Sequence, residues 1–166
     1  MVLFKDNLML PRWCISVKRL VHHPCVPDWC KFAYPNHPQG CPNYDKHPDC
    51  PPNAPYVTDV FNLSRPLYMV FSEFDLAAHM KLMQERHPHW TERQLRNVLY
   101  WQKRSKSQMK ARAKKARILL GTTQVHYFAE ATGVNFYATA KLSGLHLERI
   151  KDITECRHIA LLGYKP

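Results

Sequence analysis

Apolar and polar residues alternate along 13–21, WCISVKRLV, with Trp13, Ile15 and Val17 on one side and Cys14, Ser16 and Lys18 on the other. A period of two predicts a strand, and on this pattern Cys14 faces away from the core. The clearest strand lies at 66–74, PLYMVFSEF, where Tyr68, Val70 and Ser72 alternate with Met69, Phe71 and Glu73. Its centre is apolar on both sides, which predicts burial of both faces. Asp75 then caps a helix to about Arg86, with Leu76, Met80 and Met83 at i, i+4 and i+7, and His87-Pro88 ends it. Thr91 and Gln94 form a T-x-x-Q capping box inside a Trp90–Leu95 hydrophobic staple. The helix they start carries an apolar stripe of Leu95, Val98, Leu99, Met109, Ala113 and Ala116 and is predicted to run to about Leu120, before Gly121. A short helix at 135–143 with a stop at Gly144, then a strand at 158–164, HIALLGY, complete the pattern. Strand, coil, strand, helices, strand predicts one α+β domain over 1–166, a small mainly antiparallel sheet with helices on one face.

Between the first two strands the periodicity disappears. Residues 22–56 hold nine of the 13 prolines and four of the six cysteines, and no apolar run fit for a helix or core strand. Three of the four His-Pro pairs, at His23, His37 and His47, hold the chain extended there, because a residue before proline is pushed out of the helical region. Residues 36–40 and 43–45 carry turn chemistry. Such a coil has little apolar surface to fold by, so its order calls for an external constraint.

Composition narrows what that constraint is. Hydrophobic residues make up 45% of the 166, enough for a core. No apolar run reaches the roughly 18–20 residues that span a bilayer, so no membrane partner is expected. Lys5 and Asp6 interrupt the apolar start MVLFKDNLML, unlike a secretory leader, and a cytoplasmic location is expected. In a reducing compartment clustered cysteines bind metal or do chemistry more often than they pair, so metal is preferred here over disulfides or inert buried thiols.

The spacing C-x4-C-x10-C-x8-C of Cys25, Cys30, Cys41 and Cys50 contains no C-x2-C pair, which counts against a zinc ribbon or finger. An iron–sulfur cluster is larger than one ion and accepts ligands from several sides, and cysteine followed by proline, as at Cys41 and Cys50, accompanies cluster ligation. We therefore expect an iron–sulfur cluster on Cys30, Cys41 and Cys50, with Cys25 as fourth ligand and zinc as the alternative metal. His37 and His47 are alternative nitrogen ligands or plain turn residues. Cys14 and Cys156 are expected to be free thiols.

The segments WCKFAYPNHPQGCPNYDKHPDCPPNAP, PLYMVFSEFDL, EATGVNFYATAKLSGL and HIALLGY carry a further sign. Together they resemble a family of small, cysteine-rich, predicted metal-binding proteins of unknown function. Its members share a C…GCPNYG…CPP core, a following strand and a late E-A-x-G-[VI]-[ND] segment before a G-[IL] stop. The resemblance implies metal binding at Cys30, Cys41 and Cys50, with an iron–sulfur cluster as the usual supposition. The chain departs by Asp45 where glycine is usual and by its additional Cys14 and Cys25, which leaves the fourth ligand open.

A net charge of +11 and a pI of 9.5 make a polyanion such as RNA or DNA a candidate partner. Ten Lys or Arg and no acid lie between Arg93 and Arg117, within a basic helix at 91–120. Its candidate contacts are Arg96, Lys103, Arg104, Lys106, Lys110, Lys114 and Arg117, with Tyr100 and Trp101 able to stack on bases. A solvated helix face with Tyr100 and Trp101 packed inwards fits the same pattern. Glu130 is a weak candidate for a general acid or base near the metal. The combined expectation is a cluster-holding redox or sulfur-handling enzyme acting on nucleic acid such as tRNA. The alternative is a non-enzymatic nucleic-acid-binding or adaptor protein with a structural zinc site.

Overall fold

The computed structural model describes residues 9–33, 37–149 and 152–166. Its elements in chain order are β1 (Cys14–Ser16), α1 (Val57–Val60), β2 (Tyr68–Phe71), β3 (Phe74–Asp75), α2 (Leu76–Arg86), α3 (Glu92–Leu95), α4 (Gln102–Leu120), β4 (Gln124–His126), α5 (Phe136–Leu142), β5 (Glu155–Cys156) and β6 (Ile159–Gly163). Short 3-10 helices occur at Val26–Lys31, Val98–Tyr100 and Ala129–Thr132. The fold is α+β. Four strands form an antiparallel sheet in the order β1-β2-β6-β4, and β3 pairs with β5 in a second, two-stranded sheet.

Strand alternation builds two cores, one on each side of the larger sheet. Met69 faces Leu161 across β2–β6, and both pack with Val57, Phe61, Val134, Phe136 and Ala140. On the other side Val70, Ala160 and Leu162 meet Met109, Ala113 and Ala116 of α4. Small residues on both partners let α4 lie close to the sheet. The long helix thus covers one face, while α1, α5 and the 3-10 helix at Ala129–Thr132 line the other.

This double cover corrects the expectation for Cys14. Its side of β1 is the side α4 covers, so Cys14 is only 2% exposed and belongs to the second core. Burial pushes its thiol up to about 11, and the same cause, the largest of several, lifts Cys156 to about 11. Cys156 packs with Leu76 and Trp101 in a third, smaller core. Both are apolar packing groups.

The capping signals read as expected. Asp75 accepts the Ala78 N–H at 2.7 Å, both halves of the Thr91–Gln94 capping box form, and Gly121 ends α4 in a left-handed conformation. The helix expected over 91–120 is nevertheless broken. Asn97 turns extended and its Oδ1 accepts the Leu99 N–H at 3.0 Å, the local side-chain bond by which asparagine competes with helix. Trp101 then turns inwards, 7% exposed, and stacks on Phe74 with ring centroids 4.6 Å apart. Helix resumes only at Gln102.

A buried polar chain ties α4 to the sheet. Ser105 Oγ lies 2.8 Å from Ser72 Oγ and 2.9 Å from His158 Nδ1, and Arg112 donates to the Phe71 carbonyl at 2.8 Å. No helix among the described residues is long and apolar enough to cross a membrane.

Leu161 is fully buried at the centre of the first core. Leu161→Ala should therefore destabilise the protein by about 2–5 kcal/mol, read from urea unfolding midpoints. A loss under about 1 kcal/mol would contradict this core assignment.

Candidate metal centre and its cleft

The cysteine coil folds by turns, and its cysteines open them. The Cys25 carbonyl accepts from Asp28 N–H at 3.1 Å, that of Cys41 from Tyr44 N–H at 3.1 Å, and that of Cys50 from Asn53 N–H at 3.0 Å. Proline follows Cys41 and Cys50 directly and presets the φ of each turn. Cys30 rides on the 3-10 helix Val26–Lys31, and its carbonyl accepts the Cys41 N–H at 2.7 Å. That bond closes the ten-residue excursion between the two cysteines. Position 36 of the turn expected there lies outside the described residues.

Two backbone positions hold this geometry. Gly40 has φ +83°, and a Cβ added there would stand 2.4 Å from the Cys30 carbonyl oxygen. Asp45 has φ +57°, and its N–H donates to the Pro51 carbonyl at 2.8 Å. Aspartate is among the few non-glycine residues that tolerate this region.

The turns bring Cys30, Cys41 and Cys50 into one electrostatic neighbourhood. The Cys30 thiol is pushed above its ordinary value by burial first, then by Cys41, Cys50 and Glu130. That of Cys50 is raised by burial, then by Cys41 and Asp49. Among the described residues no three His, Cys, Asp or Glu side chains converge to hold a single metal ion. The exposed Sγ of Cys25 lies 2.9 Å from His23 Nδ1. His47 caps its own turn, accepting the Asp49 N–H at 3.2 Å, and its ring lies 6.0 Å from that of Phe128.

Glu130 arrives from a different part of the chain. It sits on the 3-10 helix Ala129–Thr132, which packs on the 3-10 helix bearing Cys30. It is exposed to water and lines a cleft. Desolvation outweighs a hydrogen bond from its own backbone and raises its pKa to about 7.

That cleft encloses about 440 Å³ between α4, the start of β6 and the two packed 3-10 helices, with Trp29, Tyr127, Phe128 and Tyr137 among its walls. Lys106 and Lys110 reach it from α4. Two of its acids are engaged within the wall. Glu148 accepts from the Glu155 N–H at 3.1 Å and the Thr154 hydroxyl at 2.9 Å, and Glu155 pairs with Arg157.

The basic run divides at the helix break. Lys103, Lys106, Lys110, Lys114 and Arg117 share one strip of α4, whereas Arg104 points about 100° away round the helix. Arg96 lies before the break and pairs with Glu92 at 3.1 Å. Trp101 is buried, and Tyr100 stacks towards Trp90 with centroids 5.4 Å apart, so the aromatic faces beside the strip are those of the cleft. Sequence reading missed this cleft. Its one signal was the Tyr127-Phe128 pair just before Glu130, and nothing local ties that pair to Trp29.

No family model matches the chain, and no significant similarity to a curated protein or to a solved structure was found.

Two outcomes are expected. Gly40→Ala meets both a left-handed φ and a backbone clash, so it should open the Cys30–Cys41 turn and speed the reaction of these thiols with a disulfide reagent. Gly121→Ala is the control, because Gly121 shares the left-handed φ but has nothing within 4 Å; equal thiol reactivity in the two variants would overturn the reading. The second concerns His158, whose pKa burial, aided by Lys106, lowers from 6.5 to about 4. A depressed imidazole contributes stability above pH 6.5 that is lost as pH falls towards 4, by about 2 kcal/mol. Glu130 titrates in the opposite sense but is common to both proteins when His158→Asn is compared with wild type. The wild-type urea midpoint should therefore fall further than the variant's between pH 7 and pH 4.5.

Proposed function

We propose that the chain is a metal-binding protein whose centre is an iron–sulfur cluster on Cys30, Cys41 and Cys50. The observation that carries this reading is the shared neighbourhood of those three thiols: Cys41 and Cys50 both act on the Cys30 thiol, and Cys41 acts on that of Cys50. Neighbouring thiolates suit a cluster, which takes ligands from several sides. Proline-set turns hold Cys41 and Cys50, and a 3-10 helix holds Cys30, so little backbone entropy is lost on loading. The resemblance to cysteine-rich metal-binding proteins points to the same three positions.

Bound there, a cluster supplies electron transfer or, with one iron open, a Lewis acid. Glu130 stands beside Cys30 with a pKa near neutrality, which suits a carboxyl that takes up and returns a proton at the mouth of the cleft. These parts fit a redox or sulfur-handling enzyme, and the basic α4 strip fits a nucleic acid such as tRNA as its substrate. All six cysteines are free, in keeping with a reducing, cytoplasmic setting. A structural zinc site on the same thiols is the second reading, favoured by the poverty of apolar contacts within the coil.

Metal and acid-labile sulfide content, with a visible spectrum, on protein purified without oxygen separates these. Iron with sulfide in a brown protein is expected. Cys30→Ser, Cys41→Ser and Cys50→Ser should each abolish loading, and Cys25→Ser and Cys14→Ser should not. One zinc without sulfide would replace the cluster by the structural site, and absence of both would sink the metal reading.

A further inference from the structure

The cleft that Trp29 and Glu130 line, next to Cys30, is walled by aromatic rings, most of which the core does not consume. Trp29, Phe128 and Tyr137 keep 43%, 41% and 50% of their surface exposed, and Tyr127 completes the set. They come from three separate segments, and among the described residues no two of them stack on each other. Rings left half exposed round about 440 Å³ offer faces to a flat guest. The space is in the range of small-molecule sites and large enough for a nucleoside.

Beyond the rings lies positive charge that makes no ion pair among the described residues. Lys103, Lys106, Lys110, Lys114 and Arg117 recur at three- and four-residue steps, so they fall within about 80° of arc and span about 21 Å of α4. No acid lies between positions 93 and 117. Lys106 and Lys110 belong to both the strip and the cleft, and Lys110 Nζ stands 5.4 Å from the centre of the Tyr127 ring. The cations and the stacking faces therefore form one continuous surface.

We propose that the cleft takes an unpaired nucleobase of a single-stranded nucleic acid whose phosphates run along the α4 strip. The charge complements a phosphate backbone, and each added cation releases counterions from it. The aromatic walls select an unpaired strand, because a base within a duplex has both faces covered by its neighbours. Seated there, the base lies beside Glu130 and the Cys30 segment. The inference names the substrate class of the proposed enzyme and depends on that reading only for the reaction, not for binding.

Fluorescence anisotropy with a labelled single-stranded RNA and with its duplex, on the full chain, tests it. Iron content is read on the same samples. The single strand should bind at least about tenfold more tightly, with log K falling against log salt at a slope of about −3 to −4. Tyr137→Ala should weaken binding about tenfold and leave the salt slope intact. Lys103→Glu with Lys114→Glu should flatten the slope instead. All three positions are on the surface, and Phe128→Leu provides a second stacking variant should Tyr137→Ala fold poorly. Equal affinity for duplex and single strand, wild-type binding by both stacking variants, or no binding would each overturn the proposal. Iron-loaded protein that binds no strand would sink the cleft inference alone, and strand binding by protein that takes up neither iron nor zinc would sink the metal reading alone.

Discussion

Burial of both faces of the β2–β6 pair is the constraint on which the other parts depend. Met69 and Leu161 require cover on one side, Val70, Ala160 and Leu162 on the other, and neither side is large enough to be left wet. Helix α4 meets one demand. The other falls to α1, α5 and the segment around Ala129, all short and all tied to irregular chain. Because Ala129 and Val134 are core residues, Glu130 between them is fixed in place although it points to solvent. A packing requirement thus sets the position of a carboxylate that lines the cleft.

The fold was legible wherever a local signal had a local consequence. The β2 strand, the Asp75 cap, the Thr91–Gln94 box and the Gly121 stop could be read because each depends on residues within one turn or one strand. Failures came where two distant segments compete. Cys14 looks like the polar side of an alternating strand only until α4 covers that side. The helix through Tyr100 and Trp101 looks continuous until Asn97 finds a local acceptor role and Trp101 finds Phe74, twenty-seven residues earlier. The distant partner, Phe74, is not marked in the sequence around the break.

The candidate site divides in the same way. Cys30, Cys41 and Cys50 were identifiable from spacing and from the prolines that follow two of them, since turn chemistry is short-range. The contact of Cys25 with the His23 imidazole was not, because it depends on the path of the chain into the 3-10 helix that begins at Val26. The cleft was wholly hidden. Trp29, Tyr127 and Tyr137 come together only after the 3-10 helices at Val26–Lys31 and Ala129–Thr132 have packed, a contact separated by about a hundred residues of chain.

That one contact joins what are otherwise two unrelated features. The cysteine coil has hardly any core of its own; of its described residues only Val26, Gly40 and Pro51 are buried. It is anchored instead at its ends, by the Val26–Lys31 helix lying on the Ala129–Thr132 helix and by α1 entering the first core. A segment held at its ends and turned by prolines can place thiols accurately, but its middle gains no rigidity from apolar burial. Ligation of Cys41 and Cys50 to a common centre with Cys30 would cross-link that middle to the anchored end. The same cross-link would fix Trp29, one residue from Cys30, against Glu130 and the aromatic wall. Loading would thus restrain one wall of the cleft and leave the others as they stand, because the 3-10 helix Val26–Lys31 carries both a proposed ligand and a ring, whereas Tyr127, Phe128 and Tyr137 lie on segments without a cysteine.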